Sequence, residues 1–566
     1  MTGATRPSSY PPPFDPREFV SEPTDPADER IEVGVLIVGA GPAGLACAIR
    51  LGQLLEEHPD VVERLGEVPV AVVEKGKQPG SHLLSGAVVN PRSLRRLFGA
   101  GFRLEDVPSY GPVHGEAVYM LTRRAALRIP PPPTMRNHGN VVFSVSRLGR
   151  WLGERAEEGG AMILPETPAG KLLVSHGRVV GVRTGDKGRG RDGEALGSFE
   201  PGSDLVAKVT VLAEGTQGHL TGVALEHFGL RGNEPQVWEL GVKEVWKVAK
   251  PLDRVIHTMG WPLRTAAKYR EFGGSFIYPM GDDMLTIGIV VGLDYRDAEL
   301  SAHDLLQELK THPKIRALLE GGERVGWGAK TIPSGGFHAL PKRLHAPGLL
   351  MCGDGVGMVN IPTLKGVHYA IESGRLAAES AFAALQRGNT PATALASYDD
   401  AVRSSFIWSD LHQVRDMRQV FGRGFVVGGA LASAMTVSKG RIEIGKLPAE
   451  PDAEQPLLRT SRAERYPVPD GTLTFDKLSS VFVSGNKTRD DQPNHIRVEQ
   501  RVPREVAELW TYMCPAQVYE VGADEGDGMV TVQLAPSNCV QCGAITAKGG
   551  RLTPPEGGSG PEYTLT

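Results

Sequence analysis

Three of the five cysteines crowd into the last 53 residues: Cys514 in "CPAQVYE", and Cys539 and Cys542 in "NCVQCGAITAKGG". A Cys-x-x-Cys pair is the spacing at which iron–sulfur proteins offer thiolates to one cluster, and Ile545 stands where a further cysteine would complete the run. Five cysteines in 566 residues do not make a disulfide scaffold, so their clustering favours metal over a bare thiol pair. Cys47 and Cys352, on a helix-like segment and at a strand end, read as small packing residues.

A second chemistry is written near the other terminus. In "EVGVLIVGAGPAGLACAIRLGQLL" an apolar strand runs through Gly39-Ala40-Gly41-Pro42-Ala43-Gly44 into a helix pattern. Gly39 permits the tight turn, Gly41 lets the backbone approach a pyrophosphate, and Gly44 allows close helix–strand packing, with the helix N-terminus facing the phosphates. A following strand, "VPVAVVEKG", ends in Glu74 and Lys75, and the acid is placed to accept ribose hydroxyls. Further on, "VTVLAEGTQGHL" ends a strand at Glu214, and "GLLMCGDGVGMVNIPTLKGVHYAIESGRLAAE" is a strand, a glycine-rich turn with Gly353 and Asp354, and a helix. A chain that opens on a dinucleotide turn and returns to it this late is organised like a large flavoprotein, with Asp354 on ribityl hydroxyls and the next helix aimed at the flavin ring.

Length and 40% hydrophobic content support a globular chain of about three to four domains. With 62 Lys plus Arg against 66 Asp plus Glu, the net charge of −4 gives no basic field for nucleic acid. The first 30 residues are proline-rich and acidic, unlike a secretory signal or transit peptide, and read as the wrapped or disordered tail of a cytoplasmic protein. The run "GFVVGGALASAMTVS", Gly424 to Ser438, carries no charge over fifteen residues and has basic flanks. As a helix it reaches only about 22 Å, short of the roughly 30 Å hydrocarbon core, so it suits a segment that dips into one leaflet; a buried core helix is the alternative.

Taken together, "GSHLLSGAVVNP", "EFGGSFIYP", "MVNIPTLKGVHYAIESG", "RSSFIWSDLHQVRDMRQ", "YPVPDGTLTFDKLSSVFVSGNKTRDDQPNHIRV", "CPAQVYE" and "PPEGGSGPEY" resemble, in order, the electron-transfer flavoprotein:ubiquinone oxidoreductase family. The resemblance implies an oxidoreductase that accepts electrons from electron-transfer flavoprotein and passes them through FAD and an iron–sulfur cluster to a membrane quinone, ubiquinone or menaquinone. It implies an α/β fold: a glutathione-reductase-like FAD domain (31–95, 135–235, 330–400), an inserted mixed-sheet quinone domain (96–134, 236–329), a membrane-associated connection (401–464) and a C-terminal ferredoxin-like module (465–566). Ser85, Gly86 and Asn360 join Gly39, Gly41, Gly44, Glu74, Lys75, Glu214, Gly353 and Asp354 as cofactor-binding positions, and Gly273 and Gly274 fall where the family's backbone meets a quinone carbonyl. Paired glycines also serve strand bulges. Where the family often carries Thr, Val367 follows the Lys-Gly of its segment. Cys514, Cys539 and Cys542 match three of the family's four cluster cysteines, enough for a three-iron cluster or a four-iron cluster completed by a non-cysteine ligand. Outer-sphere electron transfer asks for no catalytic acid or base. The chain is expected to be a monomer held peripherally on the cytoplasmic face of a bacterial inner membrane. The alternatives are a geranylgeranyl-reductase-type lipid reductase, which has no need of 465–566, and a cluster-free flavoprotein with a docking module.

Overall fold

The structure is a computed structural model and describes residues 4–24, 30–281, 283–388, 392–438, 440–441, 449–524 and 526–566, the side chains of 392, 393, 425 and 426 excepted. In its first large sheet, strand β1 (Arg30–Val38) is buried continuously from Val33, as a strand covered on both faces must be. It pairs in parallel with β2 (Val70–Val73) on one side and β3 (Asp204–Leu212) on the other, and Leu349–Met351 adds in parallel beside β3. Helices α1 (Pro42–Glu56) and α2 (Val367–Gln386) lie side by side beneath these strands. A Cβ on Gly374 would fall 1.9 Å from the Ala43 carbonyl oxygen, so glycine is what lets the two helices approach this closely. The segment expected to be a tail contributes to this nine-stranded sheet, with Val20–Ser21 pairing parallel to Ala169–Ser175. Residues 25–29 of that tail and 442–448 of the expected membrane connection lie outside the described residues.

The second sheet holds β4 (Trp238–Lys247), β5 (Val255–Gly260), β6 (Gly273–Pro279), β7 (Met284–Gly292) and β8 (Glu323–Pro333) in the order β8, β4, β7, β6, β5, followed by Glu116–Leu121 and Ala126–Ile129. Its pairs are antiparallel except β5 with Glu116–Leu121. Strand β8 runs past the boundary expected at 329 because its whole length pairs with β4.

Helix α3 (Phe425–Val437) covers the apolar run at the edge of this sheet. Met435 packs on Met417 and Val420, while Val427 and Val437 are 50% and 83% exposed, so α3 is a surface helix and not a core one. Among the described residues no helix is long and apolar enough to cross a membrane.

The C-terminal region folds as helix α4 (Arg504–Met513) over a three-stranded sheet of Arg501–Pro503, Met529–Leu534 and Tyr519–Asp524. This expected α+β module packs directly on the second sheet: Trp510, Cys514 and Ile545 share one hydrophobic core with Trp246, Ile287 and Trp327.

Candidate functional site

A cavity of about 1040 Å³ runs between the two large sheets as far as α3, at the upper end of the roughly 300–1,000 Å³ of ligand sites. One end is the β1–α1 turn. Gly39 has φ +105°, and a Cβ there would fall 2.6 Å from the Ala213 carbonyl oxygen; Gly44 closes on the same turn, its Cβ falling 2.0 Å from Gly39 O. Gly41 differs. It is an extended N-cap whose added Cβ would meet nothing nearer than Leu83 Cδ2 at 3.8 Å. Gly39 and Gly44 therefore build the turn, and Gly41 leaves space in front of the α1 N-terminus, where N–H groups and the helix dipole favour a phosphate.

Around that space the sequence-predicted residues converge. Glu74, at the tip of β2, accepts Ala40 N–H at 2.9 Å and Gly76 N–H at 2.7 Å, which fixes its carboxylate on the cavity wall. Lys75, Ser85, Gly86, Gly353 and Asp354 line the same wall. Burial raises Asp354 to about 6, with no other cause acting on it, and its carboxylate faces the cavity without a protein donor among the described residues. An acid with no protein donor on a cavity wall is free to accept hydroxyl donors from a ligand. The N-terminus of α2 contributes Gly366, Val367 and Ala370 to the wall. The space, the fixed acid, the unpaired acid and two helix N-termini fit FAD.

Two expected positions serve the protein instead. Glu214 touches the cavity, but its carboxylate caps the helix His219–His227, accepting Leu220 N–H at 3.1 Å, Thr221 N–H at 2.6 Å and the Thr221 hydroxyl at 2.7 Å. Asn360, expected to reach the flavin, lies behind the wall: Oδ1 accepts Thr363 N–H at 3.2 Å and Nδ2 donates to Tyr369 OH at 3.3 Å.

At the far end Gly273 and Gly274 line the cavity with Phe272, Met417, Phe421 and the α3 residues Ala432 and Thr436. Both glycines also answer a packing demand, because Cβ atoms would fall 1.9 Å from Val290 O and 2.5 Å from Thr258 O. The two glycines thus line the cavity and satisfy the strand packing at once. Ionisable residues missing from the sequence reading also line the cavity: Glu239 and Lys243 on β4, Lys330 on β8, and Arg418. Burial brings Lys243 down to about 7 and Lys330 down to about 8, and Lys243 Nζ donates to Ser85 O at 2.7 Å.

The cysteine loop abuts the cavity directly. Gln541 Oε1 accepts Lys75 Nζ at 2.5 Å, Gln541 O accepts Lys330 Nζ at 3.1 Å, and Cys542 O accepts Thr331 N–H at 2.8 Å. Cys514 Sγ accepts Ala516 and Val518 N–H, and Cys539 Sγ accepts Gln541 N–H, each at 3.4 Å. Burial, reinforced by the neighbouring thiols, pushes Cys539 and Cys542 up to about 12. Buried thiols with N–H groups aimed at two of the sulfurs are suited to a cationic iron core that ionises them. Among the described residues no three His, Cys, Asp or Glu side chains converge on a single ion. Ile545, buried at the fourth position, offers no donor. The donor set fits an iron–sulfur cluster through three thiolates.

Residues 238–332 match the family described as "ETF-QO, ubiquinone-binding", and residues 471–564 that described as "Electron transfer flavoprotein-ubiquinone oxidoreductase, 4Fe-4S". The chain is 39% identical over 557 residues to the mitochondrial electron transfer flavoprotein-ubiquinone oxidoreductase of Arabidopsis thaliana, covering 95% of this chain and 85% of that one. It belongs to the electron transfer flavoprotein-ubiquinone oxidoreductase family. A bacterial member of that family, from Pseudomonas aeruginosa, is 37% identical over 562 residues, covering 94% of this chain and 99% of the relative. A geranylgeranyl bacteriochlorophyll reductase-like protein from Thermoplasma acidophilum shares the fold, with a TM-score of 0.55 and 16% identity over 74% of this chain and 94% of that one. That likeness concerns the fold alone. The match over 471–564 separates the electron transfer flavoprotein-ubiquinone oxidoreductase family from the lipid-reductase alternative.

Proposed function

We propose that this chain takes electrons from reduced electron transfer flavoprotein, carries them on FAD and an iron–sulfur cluster, and reduces ubiquinone at a membrane surface. The observation that carries this reading is one cavity joining the glycine turn of β1–α1 to Gly273, Gly274 and α3, with the cysteine loop hydrogen-bonded to its wall. Bound FAD and cluster supply the redox chemistry; the protein's part is to hold, orient and tune them. Gly41 and the α1 N-terminus take the pyrophosphate, Glu74 the ribose and Asp354 the ribityl chain, with Lys75, Ser85, Gly86 and Gly353 along the wall. The backbone at Gly273 and Gly274 meets the quinone ring. Cys514, Cys539 and Cys542 hold the cluster, whose fourth corner is left to a non-cysteine ligand or is absent. The exposed valines of α3 enter the headgroup region on the cytoplasmic face of a bacterial inner membrane, where a monomer meets its lipid-confined substrate.

The test is anaerobic mixing of the FAD-loaded protein with reduced electron transfer flavoprotein, followed by flavin absorbance. The flavin should bleach and then recover only when a soluble ubiquinone is added. Reduction by NADH at a comparable rate, with no response to the flavoprotein, would show that the donor is wrong.

A further inference from the structure

Glu239 projects from β4 on the same face as Gly241 and Lys243, lines the cavity and is 2% exposed. Its Oε1 is buried without a hydrogen-bond partner. The nearest cation does not supply one: Arg418 Nε, also unpartnered, lies 3.6 Å away, too far for an N–H···O bond. Arg418 is engaged elsewhere, with Nη2 on Asp294 Oδ1 at 2.8 Å and its guanidinium 4.2 Å over the Phe272 ring. The other polar groups facing this carboxyl are the Ser334 hydroxyl and Asp294, with Asp452, Lys548 and Arg270 behind them. Burial raises Glu239 to about 7; Arg418 and the nearby Ser334 hydroxyl oppose the rise and Asp294 adds to it.

Two further observations place this acid in a reaction rather than in the packing. Glu239 is in register with Gly292 of β7, whose N–H in turn donates to the Phe272 carbonyl beside Gly273. Its Cα therefore lies roughly 10 Å from the glycine pair, two strand spacings of about 4.8 Å, with β7 between them and the cavity lined by residues of both strands. In the other direction Asp294 pairs with Arg270 at 3.3 Å and Arg270 with the exposed Glu450 at 3.4 Å, a line of charged groups from the buried carboxyl to solvent.

We propose that Glu239 delivers protons to the quinone bound in this cavity, an inference that rests on the quinone-reducing reading above. A quinone becomes a quinol by taking up two electrons and two protons. The electrons arrive from the flavoprotein through the redox groups. Each proton leaves the Glu239 O–H as a new O–H bond forms on a quinone oxygen, and between the two transfers the carboxylate takes a proton from solvent entering the cavity. Arg418, close but unbonded, stabilises the carboxylate each time it forms.

The experiment uses the FAD-loaded full chain and Glu239→Gln, which keeps shape and removes the exchangeable acid, with reduced electron transfer flavoprotein as donor and a soluble ubiquinone as acceptor. In the variant, flavin reduction by the flavoprotein should proceed as in the parent, and quinol formation should fall at least tenfold. The parent's decline in quinol formation as pH rises through about 7 should be missing from the variant, and small weak acids such as formic acid should restore turnover. Infrared difference spectra of the quinone-free protein should show a carboxylic-acid carbonyl band titrating in the same range and absent from Glu239→Gln. Quinol formation at the parent rate with the parent pH profile would overturn the proposal. So would a loss that no weak acid rescues with no infrared band missing, which would make Glu239 a structural neighbour of Arg418. If the parent itself reduces its flavin but never reduces quinone, the underlying reading fails, and it is distinguished by the parent's behaviour alone.

Discussion

Gly41→Ala and Gly44→Ala add the same methyl group to the same turn, and the geometry assigns them different failures. At Gly44 the new Cβ would sit 2.0 Å from Gly39 O and 3.1 Å from Ile37 Cγ2. A carbon–oxygen contact settles near 3.3 Å, so α1 must back away from the turn by about 1.3 Å. Overpacking costs about 1–3 kcal/mol, and a clash with backbone cannot be relieved by a rotamer, which puts this site at the upper end. The helix propensity of alanine returns about 0.8–1 kcal/mol, leaving a net loss of about 2 kcal/mol in the ligand-free protein. At Gly41 the backbone is already extended, with φ −89° and ψ −179°, and the added Cβ touches no wall. Stability without FAD should stay level or rise by about 0.4–1 kcal/mol through the unfolded chain. The methyl instead occupies the room in front of the α1 N-terminus, so FAD affinity should fall at least tenfold, about 1.4 kcal/mol. Denaturant melts of the flavin-free proteins and fluorescence titrations with FAD separate the two effects. If Gly41→Ala unfolds as early as Gly44→Ala, or binds FAD as tightly as the parent, the division of labour argued for this turn is wrong.

Lys310 Nζ donates to Glu244 Oε2 at 2.7 Å with both side chains fully buried, while Arg324 stays 3.7 Å from the other oxygen, so Lys310→Met removes one charge-assisted hydrogen bond without stranding the carboxylate and should cost about 1.5–3 kcal/mol in a denaturant melt. Anaerobic preparations should contain iron and acid-labile sulfide in near-equal amounts and a low-temperature paramagnetic signal, all lost in Cys539→Ala. Ile545→Cys should lengthen the life of that signal in air, whereas FAD-replete but iron-free protein after anaerobic reconstitution would remove the cluster from the proposal.

What could be seen in the sequence was whatever chemistry sits in one continuous stretch. The turn at Gly39 to Gly44, Glu74 closing β2 and the Cys539–Cys542 pair each carry their geometry in local spacing, and the structure brings them to one cavity and its border. Glu239 was invisible for a physical reason. "WELGVKEVWK" alternates polar and apolar residues, which ordinarily marks a strand with one wet face. Yet β4 is buried on both faces, one over the cavity and one over the core, where Glu244 is held by Lys310, Trp246 and Gln307. The charges at Glu239, Lys243 and Glu244 are interior, and pattern alone does not distinguish water from a binding cavity. Glu214 misled in the opposite sense, since an acid ending a strand before a helix is also what a helix cap requires. The shared core of the second sheet and the C-terminal region was equally hidden, because it joins residues as distant as Trp246 and Trp510.

Strand β8 touches the C-terminal region, the cysteine loop, the cavity wall and β4. Near its start Arg324 donates to Ser480 Oγ at 2.7 Å; Lys330 and Thr331 near its end line the cavity and hold the cysteine loop; and its full length is laced to β4, which carries Glu239 and Lys243. Eleven residues thus act as a common ruler. Proteins that carry electrons on a swinging domain set their pace by how often two redox groups come within tunnelling range. Here the separation is fixed when the chain folds, so the internal step should respond to driving force and ignore solvent viscosity, leaving the encounter with the donor and the exchange of quinone with the lipid as the steps at which anything must move.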